Sequence, residues 1–372
     1  MGGAEHSLLD ILAAMAGRCD CHLVTSEDGR FAERARAAGV TCHVVPCTFK
    51  QRGFLRDRLF FTILVSPGDV VSFVKYIFGI RRLVTRLRPR RIHANVPKSH
   101  MALFCLSLLG YRGACCFHMR ELFAKGSAPA LLYGMLFPRR QSTVIAISRT
   151  VQNSLPRRMR EASTVIYNGV VVEKHPRPPD RLHQGMRLLY CGRIVPWKGC
   201  HVLVDVFQEL KARIPSASLS LTLAGDTSYW SAEYRVGLDE GIRSRGLERD
   251  CMVLPNTDDV RALYARHDVF VNASCREPFG RSIAEAQGAG LPVVSFDSGG
   301  VSEIVEHGST GFLIPCGEKE AFVKALMDFA ERPQLAAEMG EAGRKRAELL
   351  FNREVQVSKL CEFLLLTPPA HR

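Results

Sequence analysis

Glu277-Pro278-Phe279-Gly280-Arg281-Ser282-Ile283-Ala284-Glu285-Ala286-Gln287-Gly288-Ala289 joins two kinds of local pattern. Before it, Asp268-Val-Phe-Val-Asn-Ala-Ser reads as a buried strand, apolar and nearly free of charge. Pro278 and Gly280 stop the strand and shape a turn. From Arg281 the residues favour helix, and Gly288 and Gly290 end it. Glu277 therefore falls on a loop at the C-terminal end of a strand, and Glu285 about one turn into the next helix. In an open α/β sheet, ligands bind at that edge. The backbone amides of Gly280, Arg281 and Ser282 lie at a helix N-terminus, where unpaired N–H groups and the helix dipole favour an anion. Two acids bracketing an anion site suit a ligand with hydroxyls on both sides of a phosphate, a description that a nucleotide sugar fits.

The apolar and glycine pattern continues through Ala289-Gly-Leu-Pro-Val-Val-Ser-Phe-Asp-Ser-Gly-Gly-Val-Ser-Glu-Ile-Val305 and Gly311-Phe-Leu-Ile-Pro315. The whole string, with Glu277 and Glu285 eight positions apart, resembles the paired-glutamate motif of the retaining GT-B glycosyltransferases, group 1 (family 4). The resemblance implies an α/β fold of two Rossmann-like parallel-sheet domains facing a cleft. It implies a sugar moved from a nucleotide-diphosphate donor to a glycan or lipid-linked acceptor, without a cofactor or metal. It is strongest over residues 186–315.

Around this stretch the chain alternates strands and helices. Strands are expected at Cys21–Ser26, Thr41–Pro46, Arg90–Asn95, Ala114–His118 and Thr143–Ser148, with Val165–Val170 closing a first domain over 1–172. His175-Pro-Arg-Pro-Pro-Asp180 is a linker. A second domain over 186–350 starts at Met186-Arg-Leu-Leu-Tyr-Cys-Gly-Arg193. The resemblance implies that the last segment, 351–372, crosses back as a helix to the first domain. The first domain opens on a helix, whereas in the resembling family a strand precedes the Gly-rich turn. The first strand is thus missing from the expected order, and the expectation is a true start upstream of Met1.

Other candidates follow the same edge logic. Gly192-Arg193 and Lys198-Gly199 follow the first strand of the second domain. Glycine lets backbone approach a ligand, while arginine and lysine neutralise phosphate as a fork and a point charge. The resemblance makes Arg193 and Lys198 a diphosphate clamp, with Gly192 beside it. It places Glu285 on the ribose hydroxyls and Glu277 on the donor sugar. It makes His118 a catalytic histidine near the donor sugar, at a strand end facing the cleft, and Gly2, Gly3 and Arg120 acceptor-side residues. Ala224-Gly-Asp226 matches a family strand end, although Asp226 read alone caps the next helix. Asp297-Ser-Gly-Gly300, read alone, is a loop.

Composition sets the remaining bounds. At 372 residues the chain is long enough for two cores, and 47% hydrophobic with 23% charged residues is globular. The thirteen cysteines contain no Cys-x2-Cys pair, which predicts reduced thiols in the cytoplasm. No apolar run reaches the roughly 18 residues of a membrane span. Through residue 175 there are 26 Lys/Arg against 11 Asp/Glu, and beyond it 24 against 26, so the first domain holds the whole positive excess. Residues 48–91 interleave Lys50, Arg52, Arg56 and Arg58 with Phe49, Phe54, Phe60 and Phe61. That pattern suits an anionic membrane surface. It equally suits an apolar core with a solvated basic face. The resemblance favours the membrane reading, with a lipid-linked or envelope glycan as acceptor. A nucleic-acid-binding protein is the rival from another class, but no nucleic-acid motif accompanies the charge. A third reading is a catalytically inert GT-B relative that binds a glycan or lipid.

Overall fold

The computed structural model describes residues 3–48, 67–138, 141–174, 185–226, 232–255 and 259–366. The chain divides into two compact units, residues 1–169 with 354–372, and 170–353. Both are α/β units whose strand pairings are all parallel.

The first unit opens on the helix Gly3–Met15, followed by β1 (His22–Thr25), the helix Arg30–Ala37 and β2 (Thr41–Val44). After the helix Pro67–Leu87 come β3 (Arg91–Ala94), β4 (Ala114–Met119), β5 (Ser142–Ala146) and β6 (Ser163–Val165), with helices between them. These strands form two sheets, β1–β2 and β3–β4–β5–β6. β1 and β3 both line a cavity of about 1790 Å³. β4 is buried at all six positions, so its run Ala-Cys-Cys-Phe-His-Met reads as continuously apolar rather than alternating. The closing strand ends at Val165, five residues before the end expected for it. Beyond it Asn168 is drawn into a polar network instead of a ladder.

The helix Arg353–Leu365 belongs almost wholly to this unit. Its Leu360, Cys361 and Leu364 pack with Ile11 of the first helix and with Cys116, Ile145 and Ile166 of the strand region. Arg91 donates to the carbonyls of Phe363 and Leu366, satisfying acceptors at the helix end that have no intrahelical partner.

The second unit carries β7 (Met186–Cys191), β8 (Leu219–Gly225), β9 (Cys251–Pro255), β10 (Val269–Asn272), β11 (Val293–Phe296) and β12 (Gly311–Ile314). Their order is β12-β11-β10-β7-β8-β9. β10 and β11 are buried throughout, again as expected of strands covered on both faces. Arg187 anchors the start of β10, giving Asp268 two guanidinium bonds of 2.8 Å and a backbone N–H bond of 2.9 Å. The order has one consequence for function. From β7 the chain winds outward through β8 and β9, then returns to β10 and winds the opposite way through β11 and β12. The reversal falls between the neighbours β7 and β10, and crevices of doubly wound sheets open at such points.

Candidate functional site

The loops leaving β7 and β10 meet at this reversal. After β7 the chain passes Gly192 and the exposed Arg193, then makes a 3-10 turn at Pro196–Lys198. The Arg193 guanidinium lies 5.9 Å from the centre of the Trp197 ring, a cation–π arrangement. After β10 the chain passes Ser274 to Gly280 and enters the helix Arg281–Gly288. Lys198 Nζ pairs with Glu277 Oε1 across the two loops, with side-chain exposures of only 17% and 9%.

Gly280 caps the helix with φ +101°, a left-handed conformation that only glycine adopts cheaply. Its carbonyl accepts from the amides of Ile283 and Ala284 at 3.0 and 3.1 Å, which starts the helix and leaves the amides of Gly280, Arg281 and Ser282 at the N-terminal face. Glu285, one turn in, accepts from Arg281 Nε at 2.8 Å and from Tyr264 Oη at 3.1 Å. Burial, and after it the Glu285 carboxylate, push the Tyr264 phenol well above its ordinary range, so the hydroxyl is a fixed donor. Glu277 and Glu285 thus sit on either side of a helix N-terminus, each steadied by a cation of the same unit.

Two features beneath this loop are silent in the sequence. Ser274 donates to the Trp197 carbonyl at 3.2 Å, and Ser298 donates to the Ser274 carbonyl at 2.6 Å. Gly300 N–H donates to the Glu277 carbonyl at 2.8 Å, and a Cβ on Gly300 would stand 2.6 Å from the Pro278 carbonyl. The Asp297–Gly300 segment, which reads as plain loop, is the floor that carries Glu277. Gly300→Ala is therefore expected to lower the melting temperature and displace Glu277, and differential scanning fluorimetry with the wild type as reference checks it. Tyr264 sits on the apolar face of a helix, where nothing in its sequence context marks it as a partner of Glu285.

The first unit treats its candidates differently. His118 is the fifth residue of β4 and is buried, not open at the strand end. Its Nδ1 lies 3.2 Å from His93 Nε2 of the neighbouring strand. Burial, then the nearby Arg120 charge, hold His118 well below the usual histidine range, and the same causes bring His93 down to about 3. His118 is thus a neutral imidazole tied to a second neutral imidazole. Arg120 spans Asn95 Oδ1 at 3.0 Å, Asn168 Oδ1 at 2.8 Å and Ser7 Oγ at 3.2 Å, joining the first helix to the ends of β3 and β6. Gly3 is the first residue of a helix rather than part of a turn. Gly2 and residues 49–66, with Lys50, Arg52, Arg56 and Arg58, lie outside the described residues. The linker residues 175–180 lie outside them too.

The expectation of reduced thiols fails at one pair. Cys275, beside the site loop, is disulfide-bonded to Cys316, with Cα atoms 5.8 Å apart and a sequence separation of 41. The fold brings the ends of β10 and β12 together, which spacing along the chain does not reveal. Among the described residues no helix is long and apolar enough to cross a membrane.

With this geometry in hand, comparison with known proteins is informative. Residues 172–346 match the family model of glycosyl transferases group 1, and residues 1–174 that of glycosyltransferase family 4. The two matches together support a GT-B glycosyltransferase of group 1. The chain is 26% identical over 330 residues to the amylovoran biosynthesis glycosyltransferase AmsK of Erwinia amylovora, covering 81% of this chain and 79% of that one. It is 28% identical over 165 residues to a trehalose synthase of Pyrococcus horikoshii, a match covering 43% of this chain and only 39% of the relative's length. In fold it resembles HepE of Anabaena, crystallised with UDP and glucose, at TM-score 0.80 and 24% identity, covering 98% of this chain and 96% of that one.

Proposed function

We propose that the protein is a retaining, metal-independent glycosyltransferase. It moves a sugar from a nucleoside-diphosphate sugar to a glycan or lipid-linked acceptor in the synthesis of a cell-envelope polysaccharide. The observation that carries this reading is the meeting of Gly192–Lys198 with Glu277–Glu285 at the strand-order reversal of the second unit. A helix N-terminus, two cations and two carboxylates stand within two adjacent loops, the set a sugar linked to ribose through a diphosphate requires.

In this reading the diphosphate lies against the amides of Gly280, Arg281 and Ser282, with Arg193 and Lys198 as its cations. Cleavage of the sugar–phosphate bond builds negative charge on the departing diphosphate. Fixed positive groups aimed there act more strongly on the transition state than on the bound donor. Two protein cations supply what a divalent metal would otherwise supply, so a chelator leaves turnover unchanged. Glu277 turns from Lys198 to the donor sugar when the diphosphate takes the lysine. Glu285 accepts from the ribose hydroxyls, held in place by Arg281 and Tyr264. Retention follows if the acceptor attacks the face from which the phosphate leaves, with that phosphate taking its proton.

Two measurements bear on the reading. Glu285→Gln replaces a carboxylate whose hydrogen bonds are charge-assisted, each roughly 1.5–3 kcal/mol, by a neutral amide. UDP is the first probe, chosen because HepE was crystallised with it. Its affinity should fall by about tenfold or more, since about 1.4 kcal/mol is tenfold. Calorimetry giving an unchanged Kd removes Glu285 from the ribose. The basic first domain is proposed to rest on the anionic inner face of a membrane through residues 48–91. Co-sedimentation with phosphatidylserine vesicles should be strong at low salt and weak at high salt, because surface attraction decays over about 8 Å at physiological ionic strength. Retention in the supernatant at both, or no effect of changing Arg52, Arg56 and Arg58 to Ala, removes the membrane contact.

A further inference from the structure

We infer that Cys275 and Cys316 form a reversible redox modification site that sets how firmly the Glu277 loop is held. The inference rests on the donor-site reading for its consequence, not for its chemistry. Cys275 is two residues before Glu277, on the loop leaving β10. Cys316 is two residues beyond Ile314, where β12 ends. Between them runs the segment after β11, whose Asp297 N–H donates to the Ile314 carbonyl at 2.6 Å, and whose Ser298 and Gly300 bond the Ser274 and Glu277 carbonyls. Three neighbouring loops are joined by hydrogen bonds, and the disulfide adds a covalent tie between the outer two. Both cysteines are exposed, whereas all eleven free cysteines but Cys19 are buried or half-buried. A small thiol or dithiol therefore reaches this pair before almost any other sulfur of the chain.

The exchange balances with a disulfide as oxidant. A Cys275 thiolate attacks one sulfur of oxidised glutathione, forming a mixed disulfide and releasing one glutathione as its thiol after proton uptake. A Cys316 thiolate then attacks the Cys275 sulfur, closing the protein disulfide and releasing the second glutathione. Two electrons pass from the two protein thiols to the glutathione disulfide, and the two protons they lose end on the two released thiols. Reduction runs the same steps backwards. In the oxidised form the loop is pinned at Ser274 and Cys275, which keeps Glu277 facing Lys198. Reduction frees the Cys275 side, and the segment 275–279 then keeps the Gly300 hydrogen bond, the Lys198–Glu277 pair and the buried Phe279 but has no covalent tie to Cys316.

The test poises the full chain in glutathione buffers of graded ratio and labels free thiols for mass spectrometry. It then measures hydrogen exchange of the peptide spanning 273–282 and UDP affinity in each state. The expected result is that Cys275 and Cys316 lose label together as the buffer becomes oxidising. Exchange of 273–282 should then slow, and UDP should bind several-fold more tightly than to the reduced chain. Cys275→Ser and Cys316→Ser should both sit at the reduced level in every buffer. Labelling of the two cysteines that ignores the ratio overturns the site. Paired labelling with unchanged exchange overturns the coupling to the loop. Slower exchange with no binding of UDP, GDP or ADP in either state leaves the redox site standing and refutes the donor reading instead.

Discussion

Arg193→Ala and Lys198→Ala are each expected to lower the turnover of a nucleoside-diphosphate sugar by a factor on the order of 10² or more, the size found when a donor aimed at developing charge is removed. The two variants differ in what else they disturb. Arg193 is exposed and stacks over Trp197, so the melting temperature should move less in Arg193→Ala than in Lys198→Ala. Lys198 faces Glu277, whose side chain is 9% exposed, and Lys198→Ala leaves that carboxylate without its cation. Breaking such a pair from one side typically costs about 3–5 kcal/mol, whereas replacing both charges by neutral groups is often close to neutral. Lys198→Met combined with Glu277→Gln should therefore recover stability without recovering turnover. Full activity in Arg193→Ala, or turnover restored in the double variant, would place the clamp elsewhere.

The second large effect is on stability, and it belongs to the first unit. His100 and His118 are buried and His93 is half-buried, with His93 lowered to about 3, His100 to about 4 and His118 well below its ordinary value, burial being the first cause for each. His100 is held by the Ala94 carbonyl at 3.2 Å and the Tyr133 hydroxyl at 3.3 Å. Arg120 is the charged group facing all three. Each histidine binds a proton in the unfolded chain near pH 6.5 and resists one when folded. Their stabilisation is present in full above about pH 6.5 and is lost as the pH falls from there towards 4 and then 3. Up to three extra protons bound on unfolding correspond to a slope of about 4 kcal/mol per pH unit within that window. Urea unfolding at pH 7, 6 and 5 tests this. Both tryptophans, Trp197 and Trp230, fall in the second unit's span, so fluorescence follows that unit and circular dichroism follows both. The transition without a fluorescence change should shift steeply with pH, and His100→Gln should flatten its slope by about one proton. An unchanged midpoint between pH 7 and pH 5 would contradict neutral burial of these residues.

What the sequence revealed of this molecule follows the range over which its signals act. In the second unit the strand Val269–Asn272 falls within the expected 268–274 and the next helix begins at Arg281 as expected, because a parallel strand buried on both faces announces itself as an apolar run and the proline and glycine after it mark its end. The Glu277–Glu285 string was legible for the same reason: strand, turn and helix start lie within thirteen consecutive residues. The contacts that give those residues their state were not. Lys198 and Glu277 are 79 positions apart, Cys275 and Cys316 are 41 apart, and His93 meets His118 only because β3 pairs with β4. Gly300 looks like loop glycine until the Pro278 carbonyl is seen where its Cβ would be. His118, expected at a strand end facing the cleft, instead lies buried in β4 beside His93 of the neighbouring strand, and Arg120 bonds Asn95, Asn168 and Ser7.

The account turns on a nucleoside-diphosphate sugar bound at the reversal between β7 and β10 and cleaved with retention. Proton NMR of the purified protein with a panel of UDP- and GDP-α-sugars, without acceptor, follows the slow transfer to water directly. The account predicts that one donor releases its nucleoside diphosphate and that the sugar appears first as the α-anomer, before mutarotation, with Arg193→Ala giving neither. First appearance of the β-anomer would contradict retention, and no cleavage of any donor by the wild type would contradict the transferase reading itself.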